Sequence, residues 1–479
     1  MQPAIVRRNR VRWLVNAALV GLMALPAALA QTGFTILHEF NPKDASSGQN
    51  PAGPLREIAP GVFVGATLAG TLYTIDGSGQ FKILHTFAGS DGQQPLGPLF
   101  PGSNGQLYGV TEYGGANGGG TLYQMTPTGA LTVLNAFSVV MGYNGAQPVV
   151  EGSDGNIYGV AYTVSTDGTA IVGIAYKETL AGVQTILHTF DPSNGDGYTL
   201  TGLMQAGDGN YYGTTADGGP AKAGTVYRMT PAGQVTVLYS FTGKFSDGQG
   251  PFGLFQGSDG NLYGVTGAAN PATGATNPVA ATFFQLTLSG TFNTLHWFAG
   301  YGGPLGSAAS PVVQASDGNF YGVMADGGQS GFGLLYNLTP DINGVEYENS
   351  LYSFAGTNGG SYPAAPLTQG SDGRLYGTAA FGGAYNAGLI FSIGFGLPKP
   401  LPVVARLQPS SGSAGAPVLI AGQNLLGATS VSFHGTAATF EVAGSGYVRT
   451  SVPAGATSGP VTVVTPNGSV TSSANFTVE

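Results

Sequence analysis

Apolar residues occur along this chain in short clusters, and one type of cluster returns at a nearly constant spacing. Seven strand-like segments end in Leu-x-x-Phe, and their leucines are Leu37, Leu84, Leu134, Leu187, Leu238, Leu295 and Leu351. The intervals run from 47 residues (Leu37 to Leu84) to 57 residues (Leu238 to Leu295). A repeat of about 50 residues is typical of stacked architectures, because one unit alone cannot bury its own apolar faces.

Three further segments recur in each unit before the Leu-x-x-Phe segment, which we name strand D. Strand A is a short apolar stretch introduced by Pro or Gly, strand B follows an Asp-Gly or Asn-Gly turn, as in SDGNLYGV, and strand C has a central aromatic, as in TVYRM. Asp-Gly and Asn-Gly favour tight hairpins because both central residues must accept φ > 0. Each unit is therefore predicted to be an antiparallel A-B-C-D meander with tight A–B and C–D turns.

The repeats are out of step with the ends of the repeat region. The first strand is a lone D at Phe34–Phe40, whereas the last unit, 365–393, contains A, B and C but no D. If the first strand completes the last sheet, no incomplete end unit is left with an exposed apolar face. We therefore predict an all-β fold, a seven-bladed β-propeller closed by its N-terminal strand. A glycine follows the tyrosine of strand B in six units, which fits close packing beside a large ring.

The first 30 residues have the pattern of an export signal. Four arginines precede an apolar run at 13–25, and Ala28-Leu29-Ala30 provides a small-x-small cleavage site. Removing the four arginines changes the formal net charge from −9 to −13, which argues against nucleic acid or anionic membranes as partners. The absence of cysteine excludes disulfides and thiolate chemistry. We expect a secreted or cell-surface monomer that does not insert into the membrane after signal removal.

Histidine and the Asp-Gly turns are the first candidates for chemistry, and both patterns favour structural roles. Four histidines share one position on strand D, where other units carry Asn or Tyr; the occupants are His38, His85, Asn135, His188, Tyr239, His296 and Tyr352. Such variation predicts a shared hydrogen-bonding or packing role. Each Asp-Gly turn carries one acid, whereas a calcium loop needs several oxygen ligands in alternation. The turns are therefore interpreted as turn-forming.

The B–C and D–A connections are longer and more varied than the tight turns. The meander places both sets on one face, here named the long-loop face, where binding groups on a rigid scaffold would concentrate. The candidate ligand-binding residues are Asp91, Asp167, Asp196, Asp217, Asp247, Asp326, Tyr113 and Tyr385. Carboxylates and rings suit a glycan or a loosely held cation such as Ca²⁺; the alternative is that these Asp residues only shape loops. No other cofactor and no catalytic residue is predicted, since no phosphate-binding or HExxH motif occurs.

After Pro398-Lys399-Pro400 the composition changes to short alternating strands between Pro, Gly and Ser turns. Pro409-Ser410-Ser411-Gly412, Gly422-Gln423-Asn424-Leu425 and Val452-Pro453-Ala454-Gly455 resemble the markers of an IPT/TIG domain. This resemblance implies an immunoglobulin-like fold. The expected organisation is a signal peptide at 1–30, a propeller at 31–396, a linker at 397–401 and the IPT/TIG domain at 402–479.

The repeat region in turn resembles the GloVer tandem repeats of exported bacterial proteins. The markers are SDGNLYGVT, Gly218-Gly219, the run GTVYRMTP from Gly224 and the run VTVLYSF from Val235. The resemblance implies a secreted or cell-surface protein and supplies no catalytic residues. The leading hypothesis is a non-enzymatic protein that binds an extracellular glycan or surface protein, with the IPT/TIG module as spacer or accessory binder. The alternatives are a polysaccharide hydrolase or lyase using long-loop-face carboxylates, and a structural envelope or matrix protein.

Overall fold

A computed structural model of the chain describes residues 33–43, 48–138, 147–165, 171–191, 195–197, 199–244, 246–267, 281–298, 310–340, 346–357 and 359–479. Every helix or strand assigned within these ranges is a β-strand, which confirms the predicted all-β class. The predicted export signal, residues 1–30, lies outside the described residues.

Sixteen consecutive strands form four antiparallel meanders that follow the chain in order. Sheet 1 contains β2 (Pro51–Ala59), β3 (Val62–Thr67), β4 (Thr71–Asp76) and β5 (Phe81–Thr86). Sheet 2 contains β6 (Gln93–Pro101), β7 (Leu107–Tyr113), β8 (Gly118–Met125) and β9 (Leu131–Ser138). Sheet 3 contains β10 (Val150–Glu151), β11 (Ile157–Val164), β12 (Ile171–Glu178) and β13 (Gln184–Phe190). Sheet 4 contains β14 (Leu200–Gln205), β15 (Tyr211–Thr215), β16 (Thr225–Met229) and β17 (Val235–Ser240).

Three more four-stranded sheets complete the described part of the repeat region. Sheet 5 contains β18 (Gln249–Gln256), β19 (Leu262–Gly267), β20 (Thr282–Leu286) and β21 (Phe292–Trp297). Sheet 6 contains β22 (Val313–Gln314), β23 (Phe320–Met324), β24 (Leu334–Pro340) and β25 (Glu346–Ser353). Sheet 7 contains β26 (Thr368–Gln369), β27 (Leu375–Ala379), β28 (Leu389–Ile393) and, as its fourth strand, β1 (Phe34–Glu39).

Strand β1 joins the two ends of the repeat region in one sheet, as predicted. It pairs antiparallel with β28, from Phe34 opposite Ile393 to Glu39 opposite Leu389. The Phe34 ring stacks on Tyr352 of sheet 6, with ring centroids 4.2 Å apart. The first strand along the chain therefore occupies the D position that the last unit lacks.

Apolar packing runs around the described sheets as a closed cycle. Seven clusters of buried side chains each combine residues of two neighbouring sheets, and one of them joins sheet 7 to sheet 1. In that cluster Phe63 of sheet 1 packs against Tyr376 of sheet 7, with ring centroids 4.0 Å apart. No described repeat sheet is left with an uncovered apolar face of the kind that an open array would have at each end.

The glycine of each B strand accommodates a large ring on the neighbouring C strand. Gly213, for example, lies opposite Tyr227, and a Cβ atom at Gly213 would lie 2.6 Å from the ring carbon Cζ of Tyr227. The same relation holds for Gly65–Tyr73, Gly109–Tyr123, Gly159–Tyr176, Gly264–Phe284, Gly322–Tyr336 and Gly377–Phe391. The sequence pattern indicates a requirement of close stacking between sheets, whereas in the structure the glycine makes room for a ring of the paired strand in its own sheet.

The C-terminal region is a separate sandwich with its own core, as the IPT/TIG resemblance implied. One sheet contains β29 (Val403–Gln408), β31 (Pro417–Gln423), β35 (Tyr447–Ser451) and β34 (Phe440–Gly444). The other contains β30 (Ser411–Gly412), β37 (Gly468–Val478), β36 (Gly459–Thr465), β32 (Ser430–Phe433) and β33 (Thr436–Ala438). Ile420, Phe433 and Phe476 lie at the centre of the core between them.

The sandwich contacts the tight-turn ends of the repeat sheets. The Tyr447 ring packs edge-on against Phe100 at the end of β6, with centroids 6.4 Å apart. The Nδ2 atom of Asn467 donates a hydrogen bond of 2.8 Å to the carbonyl of Ser371, which belongs to the A–B turn of sheet 7. These contacts lie on the face opposite the long loops.

Candidate functional site

The Asp-Gly turns are built as the sequence predicted, and they explain the aspartates there. In sheet 3, the Asp154 carboxylate accepts hydrogen bonds from the backbone and side-chain amides of Asn156 and, at 2.9 Å, from the Tyr158 hydroxyl. Burial, followed by this bond to Asp154, raises the pKa of Tyr158 to about 12. The same tyrosine bond occurs at Asp208, Asp259, Asp317 and Asp372. Turn formation is therefore the confirmed role of these acids.

A chain of hydrogen bonds links neighbouring sheets on the tight-turn face. The A strands of sheets 3 to 7 end in Gln or Glu, and sheet 1 carries Glu57 two residues before the end of β2. Each of these side chains bonds to the A–B turn of the preceding sheet. These contacts are Ser103–Glu151, Ser153–Gln205, Gly207–Gln256, Ser258–Gln314, Ser316–Gln369 and, from sheet 7 to sheet 1, Ser371–Glu57. Sequence reasoning missed these residues, although Gln or Glu recurs two or three residues before the Asp-Gly turn. These hydrogen bonds join six of the seven neighbouring pairs of described sheets on the tight-turn face.

The D-strand position shared by His, Asn and Tyr has the predicted hydrogen-bonding and packing role. His85 Nε2 lies 2.7 Å from Asp91 Oδ2, and His188 Nε2 lies 3.0 Å from Asp196 Oδ2. His38 stacks face to face on Phe81 of the next D strand, with ring centroids 3.8 Å apart. At the position occupied by Asn135, an amide-to-carboxylate bond of 3.1 Å to Glu178 takes the place of ring stacking.

Most candidate aspartates of the long-loop face are engaged within the protein. Asp247 is only 2% exposed and accepts hydrogen bonds from the Tyr239 hydroxyl at 3.0 Å and from the backbone and hydroxyl of Thr242. Asp217 accepts two hydrogen bonds from Thr199, one from its backbone and one from its hydroxyl.

Asp91 and Asp196 are held by the histidines described above, and Asp326 is half-buried on the β23–β24 connection. Asp167 lies outside the described residues. The structure therefore places the engaged carboxylates as anchors of the long connections, which is the loop-shaping alternative weighed from the sequence.

Several aromatic rings on the described part of the long-loop face are exposed to solvent. Tyr113 and Tyr385, both predicted, are 45% and 50% exposed. Sequence reasoning missed three further rings, at Phe332, Tyr362 and Phe381, which are 43% to 49% exposed. They come from the B–C connection of sheet 6, the connection between sheets 6 and 7, and the B–C connection of sheet 7. We name these three residues the aromatic patch.

Backbone hydrogen bonds hold the aromatic patch together. The backbone NH of Tyr362 donates to the Phe332 carbonyl at 3.1 Å, and a β-bridge pairs Ser361 with Phe381. The rings of Tyr362 and Phe381 are 6.0 Å apart with planes at 64°. Tyr362 has φ +57°, a left-handed conformation that costs a bulky residue conformational energy and that clusters at functional sites. Three separate connections therefore fix rings that remain open to solvent.

Two other kinds of feature are not found among the described residues. Within the described ranges, no group of three or more His, Cys, Asp or Glu side chains is arranged to hold a metal ion. A membrane-crossing helix of sufficient length and apolar character is likewise not found in the part of the chain that the structure describes.

The fold and its packing define the class of protein: an all-β chain of repeated four-stranded sheets, closed by its first strand and followed by an immunoglobulin-like sandwich. The chain belongs to the Gloeobacter/Verrucomicrobia repeat family, whose profile matches residues 27–206, 65–277 and 272–426. The IPT/TIG domain profile matches residues 402–478. Both resemblances stated from the sequence are thus confirmed.

Comparison with other proteins does not assign an activity to this chain. No curated protein matches the chain significantly. Among solved structures, a putative gluconolactonase has 14% sequence identity and a TM-score of 0.38, with 77% of this chain and 94% of that chain covered. The extracellular domain of a putative hybrid two-component system from B. thetaiotaomicron has 12% identity and a TM-score of 0.49, with 93% and 56% covered. Puromycin hydrolase has 15% identity and a TM-score of 0.47, with 81% and 61% covered. At this level of similarity no functional argument follows.

Proposed function

We propose that this protein is an exported, non-enzymatic binding protein that holds an extracellular glycan on its long-loop face. The observation that carries this proposal is the contrast on that face between exposed rings and engaged carboxylates. Tyr113, Phe332, Tyr362, Phe381 and Tyr385 are each 43% to 50% exposed, whereas Asp247 is 2% exposed and fully engaged in hydrogen bonds. Exposed rings on a rigid scaffold mark a binding surface.

Glycans suit such a surface because a sugar ring has a face of C–H groups and a rim of hydroxyls. The C–H face packs on an aromatic ring, and the hydroxyls exchange hydrogen bonds with amides and loop backbone. Hydrolysis of a glycosidic bond would instead require two accessible carboxyl groups on either side of the bond. The internal hydrogen bonds of Asp217 and Asp247 support binding over hydrolysis.

The C-terminal sandwich fits this proposal as a supporting module on the opposite face. Its contacts through Tyr447 and Asn467 involve the tight-turn ends of the sheets, so a ligand on the long-loop face would not meet it. This arrangement also allows the sandwich to connect the binding face to a surface or a further partner.

The test is binding of the mature protein, residues 31–479, to an immobilised array of bacterial, plant and fungal polysaccharides, followed by calorimetry with each positive glycan. We expect saturable binding without release of reducing ends. Absence of binding to every polysaccharide, or turnover of a bound one, would overturn the proposal.

A further inference from the structure

We infer that the aromatic patch of Phe332, Tyr362 and Phe381 is the glycan subsite and that it takes an uncharged oligosaccharide. This inference rests on the proposed function and locates the glycan-binding site on one part of the long-loop face. It also specifies that the glycan carries no charge.

The position of the patch follows from the topology of sheets 6 and 7. Phe332 and Phe381 occupy the B–C connections of these sheets, and Tyr362 lies between them on the chain segment that joins β25 to β26. The Ala380 backbone NH also donates to the Tyr362 carbonyl at 3.2 Å, so both connections are tied to the same residue. The three side chains therefore belong to one surface, even though they are up to 49 residues apart (Phe332 to Phe381) in the chain.

The backbone conformation of Tyr362 supports a ligand-binding role for its exposed ring. A left-handed φ is uncommon for a tyrosine, because its Cβ crowds the backbone, and glycine or asparagine would adopt it at lower cost. The ring nevertheless stays 49% exposed, so burial offsets only part of this cost. Strain at an exposed aromatic residue is expected where the ring contacts a ligand.

Charge on the three connections selects the ligand class. Segments 325–333, 354–367 and 380–388 contain no Lys and no Arg, and Asp326 is their only ionisable acid. The carboxylate of Glu39 in β1 also lies against the third segment, where it accepts a hydrogen bond of 3.1 Å from the Ala384 backbone NH. On these three segments a uronate or sialate would therefore meet carboxylates and no cation, and the acidic protein, whose formal net charge is −9, would repel it. Gln329, Ser361 and Asn386 supply neutral donors and acceptors on the same connections. A neutral oligosaccharide matches both the rings and this polar set.

The patch is also better suited to a sugar chain than to a protein partner. Specific protein interfaces bury about 800 Å² on each partner around a compact apolar centre. Here the exposed rings stand among glycines, and Tyr362 and Phe381 pack edge to face, with ring centroids 6.0 Å apart and planes at 64°. The three rings therefore form a small surface, of the size of a few sugar units, rather than the broad apolar centre of a protein interface.

The test compares Tyr362→Asn, Tyr362→Ala and Phe381→Ala with a matched control, Trp297→Ala, which removes a ring of 40% exposure from strand β21 of sheet 5. Tyr362→Asn removes the ring but keeps a residue that tolerates the left-handed backbone, so loop geometry is preserved. The probes are neutral cello-, xylo-, manno- and chito-hexaoses, with oligogalacturonate as the charged comparison, all measured by calorimetry.

We expect wild-type protein to bind at least one neutral hexaose and not oligogalacturonate. Each patch variant should weaken binding by about tenfold, the equivalent of about 1.4 kcal/mol, and Trp297→Ala should not. If the hexaose binds all patch variants as tightly as wild type, the subsite is elsewhere and only the general proposal survives. Binding restricted to oligogalacturonate, or to a protein partner and no glycan, would overturn the inference, and failure to bind any glycan would remove both proposals.

Discussion

Replacing Gly213 by alanine tests the packing of strand B against the ring of strand C, because the new methyl group would clash with the buried ring of Tyr227. The Cβ atom would lie 2.6 Å from Tyr227 Cζ and 2.9 Å from the Gly202 carbonyl oxygen, and Tyr227 is fully buried. Gly213 does not have a left-handed φ, so alanine is acceptable to the backbone and the penalty is steric. Overpacking of this kind costs about 1–3 kcal/mol. Without the clash, the same substitution would raise the free energy of unfolding by about 0.4–1 kcal/mol. The sign of the change therefore shows whether the clash exists.

The matched control is Gly207→Ala in the turn before the same B strand. A Cβ atom there would have its nearest neighbour, Gln256 Oε1, at 3.7 Å, and Gly207 also lacks a left-handed φ. Urea unfolding followed by tryptophan fluorescence and circular dichroism should show a lower midpoint for Gly213→Ala and no loss for Gly207→Ala. The double variant Gly213→Ala/Tyr227→Leu should lose less than the sum of its single changes, since the ring that clashes is gone. A Gly213→Ala protein as stable as wild type would refute the packing described for all seven B strands.

Two further stability predictions follow from buried carboxyl groups. Asp247→Ala should lower the free energy of unfolding by about 2–4 kcal/mol, because the hydrogen-bond donors of Tyr239 and Thr242 lose their acceptor. Equal stability of variant and wild type in urea would contradict the anchoring role of Asp247. Burial raises the pKa of Glu178 above its ordinary value of 4.5, so its contribution to stability is fully present below pH 4.5 and is lost as pH rises through the raised pKa. Glu178→Gln should therefore gain stability relative to wild type over that window, by up to about 1.4 kcal/mol per pH unit, and a difference independent of pH would refute this.

The repeat architecture could be predicted because its signals recur at fixed positions. The Asp-Gly turn, the aromatic of strand C and the Leu-x-x-Phe strand each appear in unit after unit, and the lone strand Phe34–Phe40 left one arrangement that completes every sheet. The loop anchors carried a weaker signal: Asp91 follows His85 by six residues, and Asp196 follows His188 by eight. A His-to-Asp spacing of six or eight residues predicts a hydrogen bond only when the end of strand D is already known, because the turn after the strand brings the two side chains together.

The aromatic patch had no such signal. Phe332, Tyr362 and Phe381 occupy connections that differ in length and composition from unit to unit, so no repeat position marks them. Their proximity depends on how sheets 6 and 7 pack, and their exposure depends on backbone bonds such as the one from Tyr362 to Phe332. Sequence reasoning could name candidate side chains on the long-loop face but had no basis for choosing among them.

The tight-turn face and the long-loop face exist as described only if β1 closes the repeat region. A paired cysteine substitution tests this closure directly. Thr35 and Ser392 are opposite each other in β1 and β28, and both side chains bond to Arg374, so they lie on the same side of the sheet. Antiparallel partners have Cα atoms about 4.5–5.5 Å apart, within the range that a disulfide bridges. The natural chain contains no cysteine that could compete.

The measurement is the fraction of Thr35→Cys/Ser392→Cys protein that forms an intramolecular disulfide under mild oxidation, read by mass spectrometry of proteolytic fragments. The same measurement on Thr35→Cys/Ser430→Cys, whose second site lies in the sandwich, gives the background. Closure predicts nearly complete bridging of the first pair with unchanged circular dichroism. Free thiols at background level in the first pair, or bridging only between separate molecules, would contradict a repeat region closed by its own first strand.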